Sequence, residues 1–197
     1  MPLAIRIFLV ALLLAAPAAN GDGKVEGQGS AKRFVSFRYG FSMSVPRGWT
    51  ASTALDTPVY FFASSSQSFV QDSIPQGGAV IAVESHDATS GLGGAARTPR
   101  EWAAAEARAV ASGTPIIEGF DMPRESRTSG GVESSYDEEA LSPDERAKHC
   151  VAVFWEFGGE LFAARLRFNA GDSVGPEVTK VFLLTVRSVR PFEKGPI

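Results

Sequence analysis

The stretch Lys148–Phe168 constrains the fold most, because two apolar, β-favouring runs face each other there across a minimal turn. Apolar residues alternate with others on both sides of Gly158-Gly159: Val151, Val153, Trp155 and Phe157 before it, and Phe162, Ala164, Leu166 and Phe168 after it. A two-residue glycine loop predicts a β-hairpin in which Trp155 lies opposite Phe162. A loop that also included Glu160 would turn one arm over and spoil the apolar face, so the shorter loop is expected.

The first 18 residues have the features of a secretory signal peptide. Arg6 precedes an apolar run over residues 7–16, and Ala16-Pro17-Ala18 supplies the small residues of a cleavage site. The run is shorter than the ~20 apolar residues that cross a bilayer, and no basic stop-transfer cluster follows it. We therefore expect an exported protein, periplasmic or secreted, without a stable membrane anchor after cleavage.

The rest of the chain is long enough for one domain. Residues 19–32 are rich in Gly, Asp, Glu, Gln and Ser, so they are predicted to form a flexible leader to a single domain over residues 33–197. The net charge is −3 at pH 7 and the arginines are scattered among acids, which argues against nucleic acid as a partner. Cys150 is the only cysteine, so the domain must be stabilised by its hydrophobic core rather than by an internal disulfide.

Two more hairpins and two single strands are predicted. In Arg33–Val45, a three-residue loop would pair Phe37 with Phe41 and Val35 with Met43, with Gly40 in the left-handed conformation. A polar hairpin at a sheet edge is expected to pair Arg124–Ser129 with Val132–Tyr136. The single strands are Val59–Ala63 and Ala79–Ser85, the second of which is apolar on both faces and is expected in the middle of the sheet.

Two helices interrupt the strands. Thr98 as N-cap, Pro99 and Glu101 form a capping box that begins the first helix, and Gly113 ends it. Its inner face is predicted to comprise Trp102, Ala105, Ala109 and Val110. The second helix starts at Pro176 and carries a broad apolar stripe of Val178, Val181, Phe182, Thr185, Val186 and Val189. Because hairpins dominate this order, the sequence predicts an α+β fold with a mainly antiparallel sheet.

The motif Tyr39-Gly40-Phe41-Ser42-Met43-Ser44-Val45-Pro46, followed by Gly48-Trp49, stands between a signal peptide and the capped helix. With the late Gly-Gly hairpin and the final amphipathic helix, the order from about Arg33 to Pro191 resembles the PsbP-like superfamily. The resemblance implies an α/β/α sandwich with a mainly antiparallel central sheet and two principal helices. That superfamily includes an extrinsic photosystem II subunit, a nuclear-transport factor and exported bacterial proteins without an assigned activity. It supplies no shared catalytic site, and the secretory leader argues against a photosystem or metal role here.

Three residues are candidates for chemistry. His86 and Asp87 end a predicted strand and could begin an acid-base site, although no G-x-S-x-G motif accompanies them. Cys150 is expected opposite Arg167, which could stabilise a thiolate if that face is wet. The adjacent His149 points to the other face of the strand and cannot act as the base of Cys150. A small exported hydrolase or thiol redox protein using His86, Asp87 or Cys150 is therefore the alternative function.

Two further patterns have simpler explanations. Residues 91–96 fit the dinucleotide-binding pattern G-x-G-x-x-A, but they do not join a strand directly to a helix, so a flexible loop is expected. The acidic residues of segment 137–145 do not follow the EF-hand ligand order. We expect a solvated loop there, and weak binding of a hard cation stays open.

The sequence thus predicts an exported, non-enzymatic binding or accessory module with no catalytic, cofactor-binding or metal site. Its partner would be a protein or a small molecule. Recognition is expected in two polar loops, His86–Arg97 and Asp137–Arg146, because loops held on a rigid scaffold often carry binding.

Overall fold

Two helices and two antiparallel sheets build the α+β fold of the computed structural model, which describes residues 23–53, 59–66, 73–86, 95–123, 130–140 and 145–192. The elements in chain order are β1 Gly23–Glu26, a 3-10 turn at Gly29–Ala31, β2 Arg33–Ser36, β3 Phe41–Ser44, β4 Thr50–Ser52, β5 Val59–Ser64, β6 Ala79–Ser85, α1 Pro99–Val110, β7 Ile116–Phe120, β8 Gly131–Glu138, β9 Lys148–Phe157, β10 Glu160–Asn169, α2 Gly175–Val186 and β11 Arg190–Pro191. The small sheet has the order β1-β2-β3-β11, and the large sheet has the order β4-β5-β6-β10-β9-β8-β7.

The β9–β10 hairpin forms the centre of the large sheet, with the predicted register. Trp155 lies opposite Phe162 and Val153 opposite Ala164. Both loop residues have positive φ, 63° at Gly158 and 88° at Gly159, which is the conformation that a two-residue hairpin turn of this type requires. β6 pairs with β10 on one side and β5 on the other, so its predicted interior position is also confirmed.

The β2–β3 hairpin has a longer loop than predicted. Phe34, rather than Val35, lies opposite Met43, so the first arm is shifted by one residue and the predicted pairing is wrong. Two hydrogen bonds close a four-residue loop: Gly40 N donates to Ser36 O at 3.1 Å, and Tyr39 N donates to Ser36 Oγ at 3.3 Å. The left-handed conformation of Gly40 is confirmed, with φ of 68°.

Part of the predicted flexible leader is a strand. β1 pairs with β2, and its Val25 packs against the core. A Cβ atom built on Gly23 would meet the Phe34 ring at 2.5 Å, so the backbone of β1 lies directly against the core aromatic. The polar composition of this segment does not predict its order, because its backbone hydrogen bonds to β2 do not depend on apolar side chains.

The first helix begins as predicted but turns a different face to the sheet. Thr98 Oγ1 accepts from Glu101 N at 3.2 Å, and the Glu101 side chain accepts from Arg97 N at 2.7 Å. Trp102 is fully buried, as expected. The prediction is wrong for Ala109, which is exposed, and Glu106 is buried in its place because Arg165 on the sheet pairs with it.

Two cores lie on opposite faces of the large sheet. One cluster packs α1 against β8, β9 and β10, through Trp102, Ala103, Ala107, Phe154 and Ala163 among others. The other cluster places α2 and the small sheet on the opposite face, with Phe34, Phe41, Trp155, Phe162 and Phe182 at its centre. The predicted α+β class with a mainly antiparallel sheet and two helices is confirmed, and the separate small sheet is an addition that the sequence pattern did not indicate.

The polar edge of the large sheet is built by β7 and β8. β8 pairs with β7, so Ile116–Phe120 is the strand that flanks Val132–Tyr136 on this side. The predicted partner, Arg124–Ser129, lies outside the described residues. Neither helix in the described ranges is long and apolar enough to cross a membrane.

Candidate functional site

A serine, a histidine and an aspartate form a hydrogen-bonded chain on β8 and β9. Ser135 and Asp137 are two residues apart on β8, so their side chains share one face of the strand. His149 lies opposite Asp137 on β9. Its Nδ1 atom is 2.6 Å from Asp137 Oδ1, and its Nε2 atom is 3.1 Å from Ser135 Oγ. The pleat of two paired strands therefore brings all three side chains together.

The carboxylate at one end of this chain determines where its hydrogens lie. An ionised Asp137 only accepts hydrogen bonds, so Nδ1 of His149 carries the hydrogen that it receives. Nε2 of a neutral imidazole then has a lone pair and accepts from the Ser135 hydroxyl. The His149 ring also packs against Phe168, with 5.2 Å between ring centroids. The imidazole is thus oriented by a carboxylate on one side and an aromatic ring on another.

The surroundings of Ser135 are partly apolar and open to solvent. Ile116 lies opposite Ser135 on β7, on the same face, and is 60% exposed. The side chains of His149 and Asp137 are 31% and 55% exposed. Further along the face, burial and the nearby Glu118 raise the pKa of Glu133. A small molecule approaching this edge would therefore contact an aliphatic side chain beside the hydroxyl.

Two ion pairs lie near the ends of the acidic segment 137–145. Glu138 contacts Arg167, with 3.1 Å between Oε1 and Nη2, and Glu145 contacts Lys148. Asp137 and Glu138 belong to β8 rather than to the predicted solvated loop. Within the described ranges, no group of three or more His, Cys, Asp or Glu side chains is placed to hold a metal ion. Asp137, Glu138 and Glu145 each already contact a basic side chain.

Cys150 lies opposite Arg167, as predicted, but its environment is dry. The side chain is fully buried, and burial raises the pKa of the thiol to about 12. A thiol with that pKa is almost entirely protonated at neutral pH, so the wet, thiolate-stabilising face considered from the sequence does not occur.

The structure separates His86 from Cys150. His86 donates its backbone N–H to Leu161 O at 2.8 Å, and its ring packs against Trp102 with 5.0 Å between centroids. Asp87 and the glycines at 91, 93 and 94 lie outside the described residues. His86 and Cys150 are not brought together, because Cys150 pairs with Arg167 whereas His86 follows the strand end opposite Phe162.

A buried ionic cluster lies under α1, and the sequence pattern did not predict it. Arg165 Nε donates to Glu106 Oε1 at 2.7 Å, and Arg165 Nη2 pairs with Glu106 Oε2. Nη1 lies 2.7 Å from Glu84 Oε2, close enough for an ion pair although not in hydrogen-bond geometry. Tyr136 donates its hydroxyl to Glu106 Oε1 at 2.8 Å. These contacts attach α1 to the middle of the sheet.

The two predicted recognition loops start from opposite ends of the large sheet. β6 ends at Ser85, which lies opposite Phe162 near the Gly158-Gly159 turn. The β8–β9 connection starts after Glu138, which lies opposite Lys148, and Lys148 in turn lies opposite Asn169 at the far end of β10. The Ser135–Asp137–His149 chain belongs to this second end.

Comparison with known proteins gives similar structures but no matching sequence. No family model matches the chain, and no curated protein matches it. A protein from Bacteroides thetaiotaomicron has 12% identity and a TM-score of 0.44, covering 89% of this chain, which spans only 50% of that one. The Ran-binding protein Mog1p of Saccharomyces cerevisiae has 9% identity and a TM-score of 0.45, covering 88% of this chain and 97% of its own. The cyanobacterial PsbP (CyanoP) of Synechocystis has 13% identity and a TM-score of 0.41, covering 91% of this chain and 99% of its own.

Proposed function

We propose that the protein is an exported binding or accessory module that recognises a protein or small-molecule partner at the β8–β9 end of its large sheet. The single observation that supports this most is the concentration of partly exposed ion pairs there, Glu138 with Arg167 and Glu145 with Lys148, beside the hydrogen-bonded Asp137 and His149. Pairs of this kind contribute only about 0–1 kcal/mol each to stability. A role in presenting charge to a partner therefore explains their grouping better than stability does.

The scaffold under this end suits recognition. All of these side chains except Glu145 are held by β8, β9 and β10, the most extensively paired strands of the sheet, and they flank the segment between Glu138 and Lys148. Binding residues positioned by paired strands lose little conformational entropy when a partner docks. Export is supported by the secretory features of residues 1–18.

The test compares two shortened chains. In the first, residues 140–144 are replaced by a two-residue Gly-Ser link; in the control, residues 88–93 at the opposite end of the sheet are replaced in the same way. Thermal unfolding first establishes that both variants fold. The protein is then recovered from the exported fraction, and the partner that accompanies the intact chain is quantified by mass spectrometry.

We expect the partner to be lost from the first variant and kept by the control. The reverse result would assign recognition to the His86–Arg97 loop. Full recovery of the partner with both folded variants would contradict recognition through either loop.

A further inference from the structure

We propose that Ser135 is an activated nucleophile, with His149 as its general base and Asp137 as the positioning residue, at a site for acyl transfer from small esters. This goes beyond the proposed binding function and does not rest on it. The geometry that carries it is the pair of hydrogen bonds at the two ring nitrogens: 3.1 Å from Nε2 to Ser135 Oγ and 2.6 Å from Nδ1 to Asp137 Oδ1.

Both distances are within the hydrogen-bond range that activation of a serine nucleophile requires. A serine hydroxyl is a weak nucleophile until a base within about 2.6–3.2 Å accepts its proton, and that base must itself be oriented by a third group. Nε2 of His149 faces the hydroxyl, and Nδ1 faces the carboxylate, so the imidazole has the tautomer that can take the Ser135 proton. The other tautomer, with its hydrogen on Nε2, would direct an N–H at the hydroxyl and leave no base there.

The fold fixes this arrangement in place. Ser135 and Asp137 are on one strand, and His149 is on the neighbouring strand of the same rigid sheet, directly opposite Asp137. Phe168 holds the other side of the ring. Because the three side chains come from paired strands rather than from loops, little reorganisation is needed before reaction.

The site is also accessible. The His149 and Asp137 side chains are 31% and 55% exposed, and Ser135 itself is half-buried. Ile116, 60% exposed and directly across from Ser135, offers an aliphatic contact for a short acyl group. Esters with a small apolar acyl chain therefore fit this edge better than anionic substrates, since Glu118 and Glu133 lie one pair further along the same face.

The reaction balances without any other reagent. Ser135 Oγ bonds to the ester carbonyl carbon while its proton passes to His149 Nε2; the bond to the alcohol then breaks, and Nε2 returns the proton to the leaving oxygen. Water next attacks the acyl-serine, its proton passes to Nε2, and the bond from Oγ to the acyl carbon breaks. That proton returns to Oγ, so the products are an acid and an alcohol.

A fluorophosphonate probe tests the nucleophile directly in the full folded chain. Attack by Ser135 would form an Oγ–P bond and release fluoride, with the proton taken by His149. We expect peptide mass spectrometry to find the adduct on Ser135, and Ser135→Ala to lose it. The matched control is Ser134→Ala, because Ser134 is buried on the other face of the same strand and its removal should leave labelling unchanged.

The base and the positioning residue have separate readouts. His149→Gln should slow labelling by about 10²–10⁴-fold, the usual contribution of general acid-base catalysis. Asp137→Asn should slow labelling, because His149 Nδ1 then loses the carboxylate that orients the ring, and Asp137→Glu, which keeps a carboxylate, should restore part of the rate. Thermal unfolding confirms that each variant is folded.

Two results would overturn the proposal. The first is folded wild-type protein in which Ser135 carries no adduct after prolonged exposure to the probe. The second is a His149→Gln variant that labels Ser135 within tenfold of the wild-type rate, which would show that the hydrogen bond does not activate the hydroxyl. Hydrolysis of p-nitrophenyl acetate, measured on the same variants, should follow the same order as labelling.

Discussion

At the scale of single residues, the buried ion pair between Glu106 and Arg165 dominates the α1 side of the sheet. Burial alone would raise the pKa of Glu106, but the charge of Arg165 and the hydrogen bonds from Arg165 and Tyr136 outweigh it and lower that pKa. The same carboxylates, Glu106 and Glu84, raise the pKa of Arg165 despite its burial. Both groups therefore stay charged inside the fold and depend on each other.

Removing one member of this pair should be costly. Glu106→Leu leaves a buried guanidinium with Glu84 as its remaining described carboxylate partner, and we expect a loss of about 3–5 kcal/mol in the free energy of unfolding. Adding Arg165→Met to the same chain should recover part of that loss, because an apolar pair of similar volume needs no charge compensation. Urea titrations of the two variants measure this, and a double variant weaker than the single one would contradict the pairing.

The same pair predicts an acid-dependent loss of stability. Because the pKa of Glu106 is lower in the folded protein than its ordinary value of 4.5, its contribution is fully present above that value. The contribution is lost as the pH falls through the lowered pKa. We expect the free energy of unfolding of the wild type to decrease more steeply below pH 4.5 than that of Glu106→Gln. Parallel curves for the two proteins would show that this carboxyl is not the group responsible.

Trp155 should matter more for stability than Cys150, although both are fully buried. Trp155→Ala removes a ring that stacks on Phe162 at 5.7 Å and should cost about 3–5 kcal/mol. Cys150→Ser changes a single atom and should cost clearly less. Equal losses of unfolding free energy in guanidinium titrations would contradict the assignment of Trp155 and Cys150 to the two faces of the hairpin.

The candidate site shows what residue types alone leave undecided. The sequence places His149 and Cys150 on opposite faces of a strand, which is correct, but it gives His149 no partner of its own. Ser135 and Asp137 carry the missing signal, since a spacing of two on a strand puts both on one face. The signal is not decisive without the register of β8 against β9, because a shift of one residue would point His149 to the other side.

At the scale of elements, the two glycine-containing hairpins explain why one register was predictable and the other was not. In β9–β10, only one loop length keeps every large apolar residue on one face, so the apolar pattern fixes the pairing. In β2–β3, residues on both faces are buried, as Phe34, Val35 and Ser36 show, so the pattern does not decide between loop lengths. The hydrogen bonds to Ser36 decide instead, and these depend on local backbone geometry.

The β9–β10 turn should tolerate asparagine better than alanine. Gly158 has φ of 63°, and a Cβ atom built there meets nothing within 4 Å, so only backbone strain opposes substitution. Gly158→Ala should cost about 1–2 kcal/mol, the penalty for a left-handed residue, whereas Gly158→Asn should cost less because asparagine adopts this conformation more readily. Thermal unfolding of the two variants gives the comparison. A less stable asparagine variant would contradict the turn geometry.

At the scale of the whole molecule, the predicted class was accessible from sequence because hairpin signals and capping signals are local. The assignment of β1, β2, β3 and β11 to a separate sheet was not accessible. β11 has two residues and pairs with β3 across almost 150 positions of the chain, so no short-range pattern marks it. Similarly, Glu106 is buried because Arg165 pairs with it, and helical periodicity carries no information about that partner.

The proposed export makes a prediction about the intact protein. Cleavage after Ala18 should give an exported chain that begins at Ala19, because Ala16-Pro17-Ala18 supplies the small residues that signal peptidase requires. Intact-mass measurement of the exported fraction tests this, with whole-cell protein as the control. An exported chain that still begins at Met1 would contradict cleavage.

The two-residue turn between β9 and β10 also has a kinetic consequence. Its strands meet after closing a loop of two residues, whereas β6 joins β10 across more than 70 positions of the chain, which costs more chain entropy before any contact forms. The hairpin should therefore act as the folding nucleus. Substitutions at Phe162 should slow refolding, whereas those at Ile81 on β6 should mainly accelerate unfolding. Stopped-flow chevron plots would give φ-values near 0.5–0.8 for the first and about 0–0.3 for the second.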